Sequence, residues 1–443
     1  MNATRRTFLK GAAVAAGLGV AGSVVYVKSG DKPEPGVSAP ASASPGTAEA
    51  SAPAVLASAS GTPVASTAVK SQPKSLVVIQ LAGGNDGLST VLPFADPALH
   101  DNRSTLTFSD DQLIKLNDQL ALHPNMKSLK PLWDAKKVAV VQGVGYPNPN
   151  RSHFASMDIW ASATPGKPSQ TGWLGRYLDA AQLPADNPFN AASVGPQLPF
   201  TLKAQKTAVA SVQDAATFQL RSDPRHAQDQ PELMAGFTQM YSRGPQGVPY
   251  YGLVEQVEAT AVSATSALKD IATKYHPAVS YPQSALGRAL QNVAELMSGG
   301  FGTRVYYVQT GGFDTHANEK IGHDRLMTDL SDGIAAFYQD LQAQGLSHNV
   351  AMMTWSEFGR RVKENGSGGT DHGTAAPLFV VGDGVAGGLV GDQPSLTKLD
   401  SNGDLVFGID FRSVYNTILS KWLGMDGQEV LGAKFDLLPL FNG

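Results

Sequence analysis

The chain has 443 residues, of which 42% are hydrophobic and only 16% are charged, and its formal net charge is −4. A chain of this length can bury one large core, or a core with an inserted lobe. It has no long run of Lys or Arg, which argues against a nucleic-acid partner, and no cysteine, which excludes disulfides, thiolate catalysis and cysteine-ligated zinc.

The N-terminus carries the features of a twin-arginine signal peptide over residues 1–27. Arg5 and Arg6 directly precede Thr7-Phe8-Leu9-Lys10, and a weakly apolar stretch rich in Ala and Gly follows as far as Val27. An amphipathic helix is the alternative, and the paired arginines argue against it. Substrates of this export route fold before they leave the cytoplasm, which agrees with the absence of cysteine. We therefore expect the twin-arginine translocase as a partner during export, and a periplasmic or secreted location.

Residues 28–74 are predicted to form a disordered linker, because Ala, Ser, Pro, Gly and Thr dominate them and they cannot bury a core. No Ala-x-Ala cleavage triplet directly follows the apolar stretch, and candidates such as Ala41-Ser42-Ala43 lie further on. The signal could therefore stay attached as a membrane tether, with the linker as its stalk.

Alternating strands and helices are predicted for the folded part, residues 75–443. The predicted strands, all rich in β-branched or apolar residues, are Ser75–Leu81, Lys137–Val144, Thr303–Gln309, Asn349–Thr354 and Pro377–Val381. The predicted helices are Leu122–Asp134, Ser152–Ala161, Glu319–Gln344 and Phe411–Leu423. This alternation indicates an α/β fold with a doubly wound, mostly parallel sheet.

The pattern changes between about residues 164 and 300. Loops with Pro and Asn come first, and polar helices follow from about Glu232 to Ser298. Because both flanks belong to the same series of strands and helices, we interpret this segment as a helical and loop insertion that forms a lobe over the sheet edge. A second, independent domain is the alternative.

Acidic and histidine side chains occur in glycine-rich turns close to the ends of the predicted strands. They are Asp86, Asp314, His316, Glu357, Asp371 and His372. Because the carboxyl ends of parallel strands meet at one edge of a sheet, these groups are expected to lie close together. Carboxylates and imidazoles gathered in this way are typical of a metal-assisted hydrolase. Each motif alone could be a turn, a helix cap, a surface ion pair or a solvent loop, but their joint occurrence favours a site.

Ser152 is predicted to open a helix soon after the second strand, in the segment Asn150-Arg151-Ser152-His153. A serine at this position is most often a helix cap. The position also suits a nucleophile, because a helix N-terminus favours anions and Arg151 adds positive charge beside an incoming phosphoryl group. Arg360 is another candidate for that contact. His153 is adjacent in sequence, but neighbouring side chains on a helix point about 100° apart, so adjacency does not make a Ser–His pair.

These motifs resemble those of a large, uncharacterised family of twin-arginine-exported bacterial proteins, catalogued as a domain of unknown function. The similar segments span nearly all of the chain after the linker: Gly83–Gly87, Leu122–Pro124, Asn150–Phe154, Gly172–Arg176, Gly311–His316, Ser356–Arg360, Thr370–Gly373 and Tyr415–Gly424. The family is grouped with the alkaline phosphatase, sulfatase and phosphoglycerate mutase superfamily. The resemblance therefore implies an alkaline phosphatase-like α/β core that carries a metal, with a Ser, Thr or modified residue as nucleophile.

The resemblance also implies roles for individual residues. Asp86 would be the metal aspartate after the first strand, and Ser152 would be the nucleophile. Asp314 and His316 would form the Asp/His ligand motif. Glu357 would be the acid after the next strand, and His372 the final histidine.

The chain departs from the superfamily pattern at three points. The usual Asp-x-x-x-His spacing is compressed to Asp314-Thr315-His316. Phe358, which cannot ligate, stands where a histidine commonly follows the acid. Ser152 lacks the downstream Pro and Arg that conversion to formylglycine requires.

The leading hypothesis is an exported, metal-dependent hydrolase of phosphoric or related esters, acting on a small-molecule or polymer substrate. A divalent cation (zinc, manganese, magnesium or calcium) would be held by some of the six acidic and histidine residues and would activate Ser152 or a water. The alternative is a non-catalytic periplasmic binding or assembly protein derived from that fold, which Phe358 and the compressed spacing would support. A metal-free serine hydrolase that pairs Ser152 with His372 is disfavoured, because no Gly-x-Ser-x-Gly elbow surrounds Ser152.

Replacing both Arg5 and Arg6 with Lys should leave the protein in the cytoplasm, because the export receptor reads the paired guanidinium groups. Cell fractionation with immunoblotting measures the outcome. Lys28→Arg, in the predicted linker, is the matched control that should be exported normally. Normal export of the double variant would contradict the predicted compartment.

Overall fold

The computed structural model describes residues 72–184, 187–213 and 267–443. The predicted signal peptide, nearly all of the predicted linker and residues 214–266 of the predicted insertion lie outside this part of the chain. Within the described ranges, no helix is both long enough and apolar enough to span a bilayer.

The described strands, in chain order, are β1 Ser75–Leu81, β2 Val91–Leu92, β3 Ile114–Lys115, β4 Ala121–Leu122, β5 Val138–Gly145, β6 Ala191–Val194, β7 Ala210–Ser211, β8 Val305–Thr310, β9 Val350–Trp355, β10 Ala376–Gly382, β11 Gly388–Val390 and β12 Ile409–Asp410. The α-helices are α1 Gly87–Thr90, α2 Pro97–Asn102, α3 Lys130–Asp134, α4 His153–Ser162, α5 Trp173–Ala180, α6 Ala285–Ser298, α7 Glu319–Ala343, α8 Phe411–Thr417 and α9 Gly427–Leu431. Residues 267–274 are also helical. Short 3-10 helices cover Lys127–Leu129, Phe200–Leu202 and Ser347–Asn349, and Ile418–Leu423 forms a π-helix.

Nine of the described strands form one sheet, in the order β11-β5-β10-β9-β1-β8-β6-β7, and β12 also pairs with β5. β1 lies between β8 and β9 and is parallel to both. All of its residues are buried, as expected for a continuous apolar run that is covered on both faces. The pairs β6–β8, β6–β7, β11–β5 and β12–β5 are parallel as well. The predicted α/β fold with a mostly parallel sheet is therefore confirmed.

Each face of the sheet has its own apolar core, because successive side chains of a strand point to opposite faces. Val77 and Ile79 of β1 belong to the core that includes side chains of α6 and α7. Leu76 and Val78 belong to the core that includes side chains of α5 and α8. Burying each of these aliphatic side chains contributes about 1.5–3 kcal/mol. Helices on both faces are therefore what stabilises the sheet.

β10 runs antiparallel to both of its neighbours, β5 and β9. The connection from β9 to β10 contains no helix, and without a crossover helix a following strand normally pairs antiparallel. Because of this reversal, the N-terminal end of β10 lies at the same sheet edge as the C-terminal ends of β5 and β9. The loop before β10 therefore arrives beside the turns that follow β1, β5, β8 and β9.

Parts of the chain differ from the sequence predictions. The segment interpreted as an insertion lobe contributes β6 and β7 to the main sheet, next to β8. The predicted helix Leu122–Asp134 shrinks to a 3-10 turn and the short α3, because Pro131 is tolerated only in a first helical turn and the helix starts there. The predicted helix Phe411–Leu423 is α8 followed by the wider turns of the π-helix.

Candidate metal centre

One carboxylate oxygen is the hub of the candidate centre: Oδ1 of Asp314, in the turn after β8. Three imidazole Nε2 atoms surround it, from His153 at 3.5 Å, His316 at 3.1 Å and His372 at 3.2 Å. His153 is the first residue of α4, His316 shares the turn with Asp314, and His372 lies in the loop before β10. Three separate segments therefore meet at the C-terminal edge of the sheet.

Each of the three imidazoles has its other nitrogen, Nδ1, held by an oxygen atom. The partners are Oε1 of Glu357 for His153 at 2.8 Å, Oδ1 of Asp371 for His316 at 3.2 Å, and the carbonyl oxygen of Arg151 for His372 at 2.8 Å. Carboxylate and carbonyl oxygens only accept hydrogen bonds, so each Nδ1 carries a proton. In the neutral ring the Nε2 lone pair then faces Asp314, which is the orientation of a metal-ligating histidine.

The spacing of these donor atoms fits a bound divalent cation. Nε2 of His316 and Nε2 of His372 lie only 2.9 Å apart, and two facing lone pairs repel each other unless a cation or an added proton lies between them. Ligand atoms at about 2.0–2.1 Å from a tetrahedral ion lie about 3.3 Å from one another, which is close to the separations around Asp314 Oδ1. One ligand atom from each of His153, Asp314 and His372 lies within 4.8 Å of the others. Imidazole nitrogens and a carboxylate oxygen, without sulfur, are a donor set that zinc accepts, and they leave the other divalent cations named above open.

The Arg360 guanidinium holds Asp314 in place. Arg360 is 1% exposed, and it donates to Oδ1 of Asp314 at 2.7 Å and to the carbonyl oxygens of Gly83, Gly84, Phe313 and Thr370. Nε and Nη2 donate to Gly83, Gly84, Phe313 and Asp314, and Nη1 donates to Thr370, so this buried group holds the surrounding backbone and Asp314 in place. The substrate contact that the sequence suggested for Arg360 stays a prediction. Partial burial raises the pKa of Asp314, but the hydrogen bond and the positive charge of Arg360 outweigh it. The net shift is downward, so this carboxylate stays ionised at neutral pH.

Two of the acids predicted as ligands contact the Nδ1 atoms of imidazoles, on the side of the ring away from Asp314. Glu357 is fully buried, and its Oε1 accepts a hydrogen bond from the Gly83 N–H at 2.9 Å besides the one from His153. Asp371 lies against His316, not against His372, which is adjacent to it in sequence. Carboxylates placed in this way fix the ring orientation and raise the basicity of the ligating nitrogen.

Asp86 lies in a second, fully buried polar cluster. Its carboxylate oxygens pair with the Arg103 guanidinium, since an ionised group without solvent is costly unless it has a charged partner. Burial raises the pKa of Asp86, but the Arg103 ion pair outweighs burial and lowers it. Among the described residues, no contact joins Asp86 to the three histidines. The predicted convergence therefore does not extend to Asp86, because Arg103 takes up its carboxylate.

Glu319 and His323 complete this buried polar cluster. Burial, reinforced by the negative charge of Asp86, raises the pKa of Glu319 to about 9. Burial also lowers the pKa of His323 to about 3. Glu319 is therefore protonated and His323 neutral at pH 7. The Thr370 hydroxyl donates to Oε2 of Glu319 at 2.6 Å, so the cluster supports the loop that carries the last histidine of the centre.

Ser152 caps the N-terminus of α4, and its exposed side chain forms no cap hydrogen bond. The residues on both sides of it contact the centre, through the Arg151 carbonyl and the His153 ring. The Arg151 guanidinium faces Asp404 at 3.3 Å. The Ser152 hydroxyl is therefore accessible beside the centre, whereas the Arg151 charge is shared with another carboxylate.

His153 is the member of the centre that the sequence predictions omit. A lone histidine beside a serine carries no ligand signal of its own, and its role depends on the buried Glu357, which is remote in sequence. The one available signal is its position soon after a strand, in the same kind of motif that carries the other members of the candidate centre.

A family model and several solved structures match the chain. The model described as "Protein of unknown function (DUF1501)" matches residues 73–434. This match confirms the resemblance to a family of unknown function. No curated protein matches the chain.

The similar solved structures have low identity to the chain. PsFucS1 sulfatase from Pseudoalteromonas sp. is 12% identical, with a TM-score of 0.37 over 82% of this chain and 70% of that one. A protein in the alkaline phosphatase superfamily from Vibrio parahaemolyticus is 7% identical, with a TM-score of 0.35 over 83% and 71%. The C-terminal periplasmic domain of EcEptC from Escherichia coli, in complex with Zn, is 10% identical, with a TM-score of 0.29 over 71% and 74%.

Glu319→Gln should make stability less dependent on pH. The folded pKa of Glu319, about 9, lies above its unfolded value near 4.5. The contribution of Glu319 to the free energy of unfolding is thus complete below pH 4.5. It is lost as the pH rises towards 9, at up to about 1.4 kcal/mol per pH unit. Gln stays neutral, so the free energy of unfolding of the variant, relative to the parent, should rise from pH 5 to pH 8 in urea titrations. The same pH dependence in both proteins would show that Glu319 ionises normally.

Proposed function

The chain belongs to the DUF1501 family, and on that premise we propose that it is an exported, metal-dependent hydrolase of phosphoric or related esters. One observation carries the proposal: three histidine Nε2 atoms converge on one oxygen of Asp314, and an oxygen acceptor holds the Nδ1 of each ring. Aligned lone pairs at a partly exposed carboxylate support cation binding in contact with solvent and substrate.

His153, Asp314 and His372 would hold the cation, with the more exposed His316 as a further donor. A divalent cation bound there would act as a Lewis acid toward the phosphoryl or sulfuryl oxygens and would offset their negative charge. The hydrogen-bond partners of these side chains keep them oriented in advance, which lowers the cost of assembling the site.

Ser152 is the residue to which we assign the nucleophile. The N-terminus of α4 favours an anionic group, and no cap hydrogen bond uses the exposed hydroxyl. Attack by Oγ on the phosphorus would release the alcohol of the ester and leave a covalent ester on Ser152, which water then hydrolyses. A metal-free pairing of Ser152 with His372 is disfavoured, because the contacts of the described residues include no hydrogen bond between the Ser152 hydroxyl and His372.

A non-catalytic binding or assembly role is the second candidate. Phe358 favours it, because its buried ring packs against the imidazoles of His153 and His372 and supplies no ligand atom for a second cation. Metal content together with turnover of a generic phosphate ester separates the two candidates. In either case the proposed location is periplasmic or secreted, following the predicted export signal at Arg5 and Arg6, with a membrane tether if that signal is not cleaved.

His153→Ala and His372→Ala should each lose the metal and the activity, while Ser152→Ala should lose activity and keep the metal. The imidazoles supply bonds to the ion, whereas the serine contacts the substrate. Metal content by mass spectrometry and turnover of 4-nitrophenyl phosphate measure the two properties, with circular dichroism as the check on folding. His348→Ala, at an exposed histidine outside the centre, is the control that should match the parent. Parent-like metal content in both histidine variants would favour the non-catalytic candidate.

Glu357→Gln should weaken metal binding about 10–100-fold without unfolding the protein. The amide keeps the size of the side chain but removes the negative charge that holds the His153 Nδ1–H and raises the basicity of Nε2. Isothermal titration calorimetry with Zn²⁺ gives the affinity. Glu364→Gln, at a surface carboxylate that binds Ser104 and Thr105, is the matched control. An unchanged affinity in Glu357→Gln would remove Glu357 from the centre.

A further inference from the structure

A cavity of about 140 Å³ lies next to the candidate centre, and its walls are mainly apolar. The apolar and aromatic residues of the walls are Tyr146, Pro149, Phe358, Leu405, Val406 and Phe407. The proposed chemistry does not use this space.

The cavity and the centre share one residue, Phe358. Its ring lies 4.9 Å from the imidazole of His153 and 4.6 Å from that of His372, between ring centroids. The ring is also fixed in position: Phe358 is 2% exposed, and it packs so closely on Gly84 that any side chain there would collide with it. The histidines and the cavity are therefore separated by a single residue, and a substrate held at the histidines lies close to the cavity.

The size and charge of the cavity select one kind of occupant. An apolar cavity of about 150 Å³ is large enough to bind benzene, so the space suits a single aromatic ring. The described walls contain no Lys, Arg or His, and they include the acidic residue Asp400. An anionic group is therefore disfavoured in the cavity and favoured at the histidines, while a neutral ring suits the cavity.

We propose that the cavity binds the organic part of the substrate, and that this part is an aromatic ring: the substrate is an aryl ester of phosphoric or sulfuric acid. The ring occupies the space between Tyr146, Phe358 and Phe407, and the anionic group faces the histidines. This inference rests on the proposed function, since it supplies the leaving group for that reaction.

The test uses two aspartate substitutions at equally exposed apolar residues. Val406 is 51% exposed and lines the cavity, whereas Leu437 is 50% exposed and is not part of its walls. With the zinc-loaded full chain, calorimetry should show phenylphosphonate binding at least about tenfold more tightly than methylphosphonate. Val406→Asp should abolish this difference and leave methylphosphonate affinity within about twofold of the parent, and Leu437→Asp should retain the difference. Equal affinities of the parent for the two phosphonates would overturn the inference, as would an undiminished difference in Val406→Asp.

Phenol binding to the metal-free protein, measured by saturation-transfer NMR, tests the proposed aromatic site independently of the proposed hydrolase activity. Phenol should bind to the parent and to Leu437→Asp, and about tenfold more weakly to Val406→Asp. If phenol behaves in this way while neither phosphonate binds the zinc-loaded protein, the proposed hydrolase fails and the aromatic site stands. If phenol does not bind the parent, or binds Val406→Asp equally well, the aromatic site is overturned whatever the metal assays give.

Discussion

The buried guanidinium of Arg360 joins the segments that carry the candidate centre. A cation removed from water is destabilising unless its N–H groups find acceptors. Here the acceptors are carbonyl oxygens from the turns after β1 and β8 and from the loop before β10, together with the Asp314 carboxylate. Satisfying one guanidinium therefore brings three segments to one point. The position of Asp314, and with it the geometry of the histidines, depends on this interaction.

The polar side chains at this edge of the sheet form two layers with different electrostatics. In the buried layer, Asp86 and Arg103 neutralise each other, Glu319 is protonated and His323 is uncharged, so the layer has almost no net charge at neutral pH. The outer layer of histidines and Asp314 has lone pairs that face solvent and one another. A buried charge is destabilising unless it is paired, whereas the lone pairs of partly exposed histidines and carboxylates can be solvated until a metal ion binds. Structural support and the proposed metal binding are thus divided between the layers.

Phe358 gives the centre two chemically different sides. Its ring packs against two of the imidazoles, and the same residue is part of the wall of the apolar cavity. An ester of phosphoric or sulfuric acid has the same division, with an anionic end and an organic end that prefer different surroundings. The phenylalanine that supplies no ligand for a second cation therefore has a positive role in the proposed site.

Local patterns in the sequence were sufficient for much of this description. The apolar runs of β1, β5, β8 and β9 and the periodicity of α7 depend on neighbouring residues, so they can be read along the chain. Because parallel strands end at one edge, the same reading placed Asp314, His316 and His372 together. Only the tertiary structure shows that β10 runs antiparallel to its neighbours and that β6 and β7 join the main sheet. Only the tertiary structure shows that Glu357 binds His153 and that Asp86 pairs with Arg103. Each of these features depends on which strand pairs with which neighbour, or on which group pairs with which buried charge. Most of these partners are remote from each other in sequence. Burial makes such pairing compulsory, but only the complete fold determines the partner.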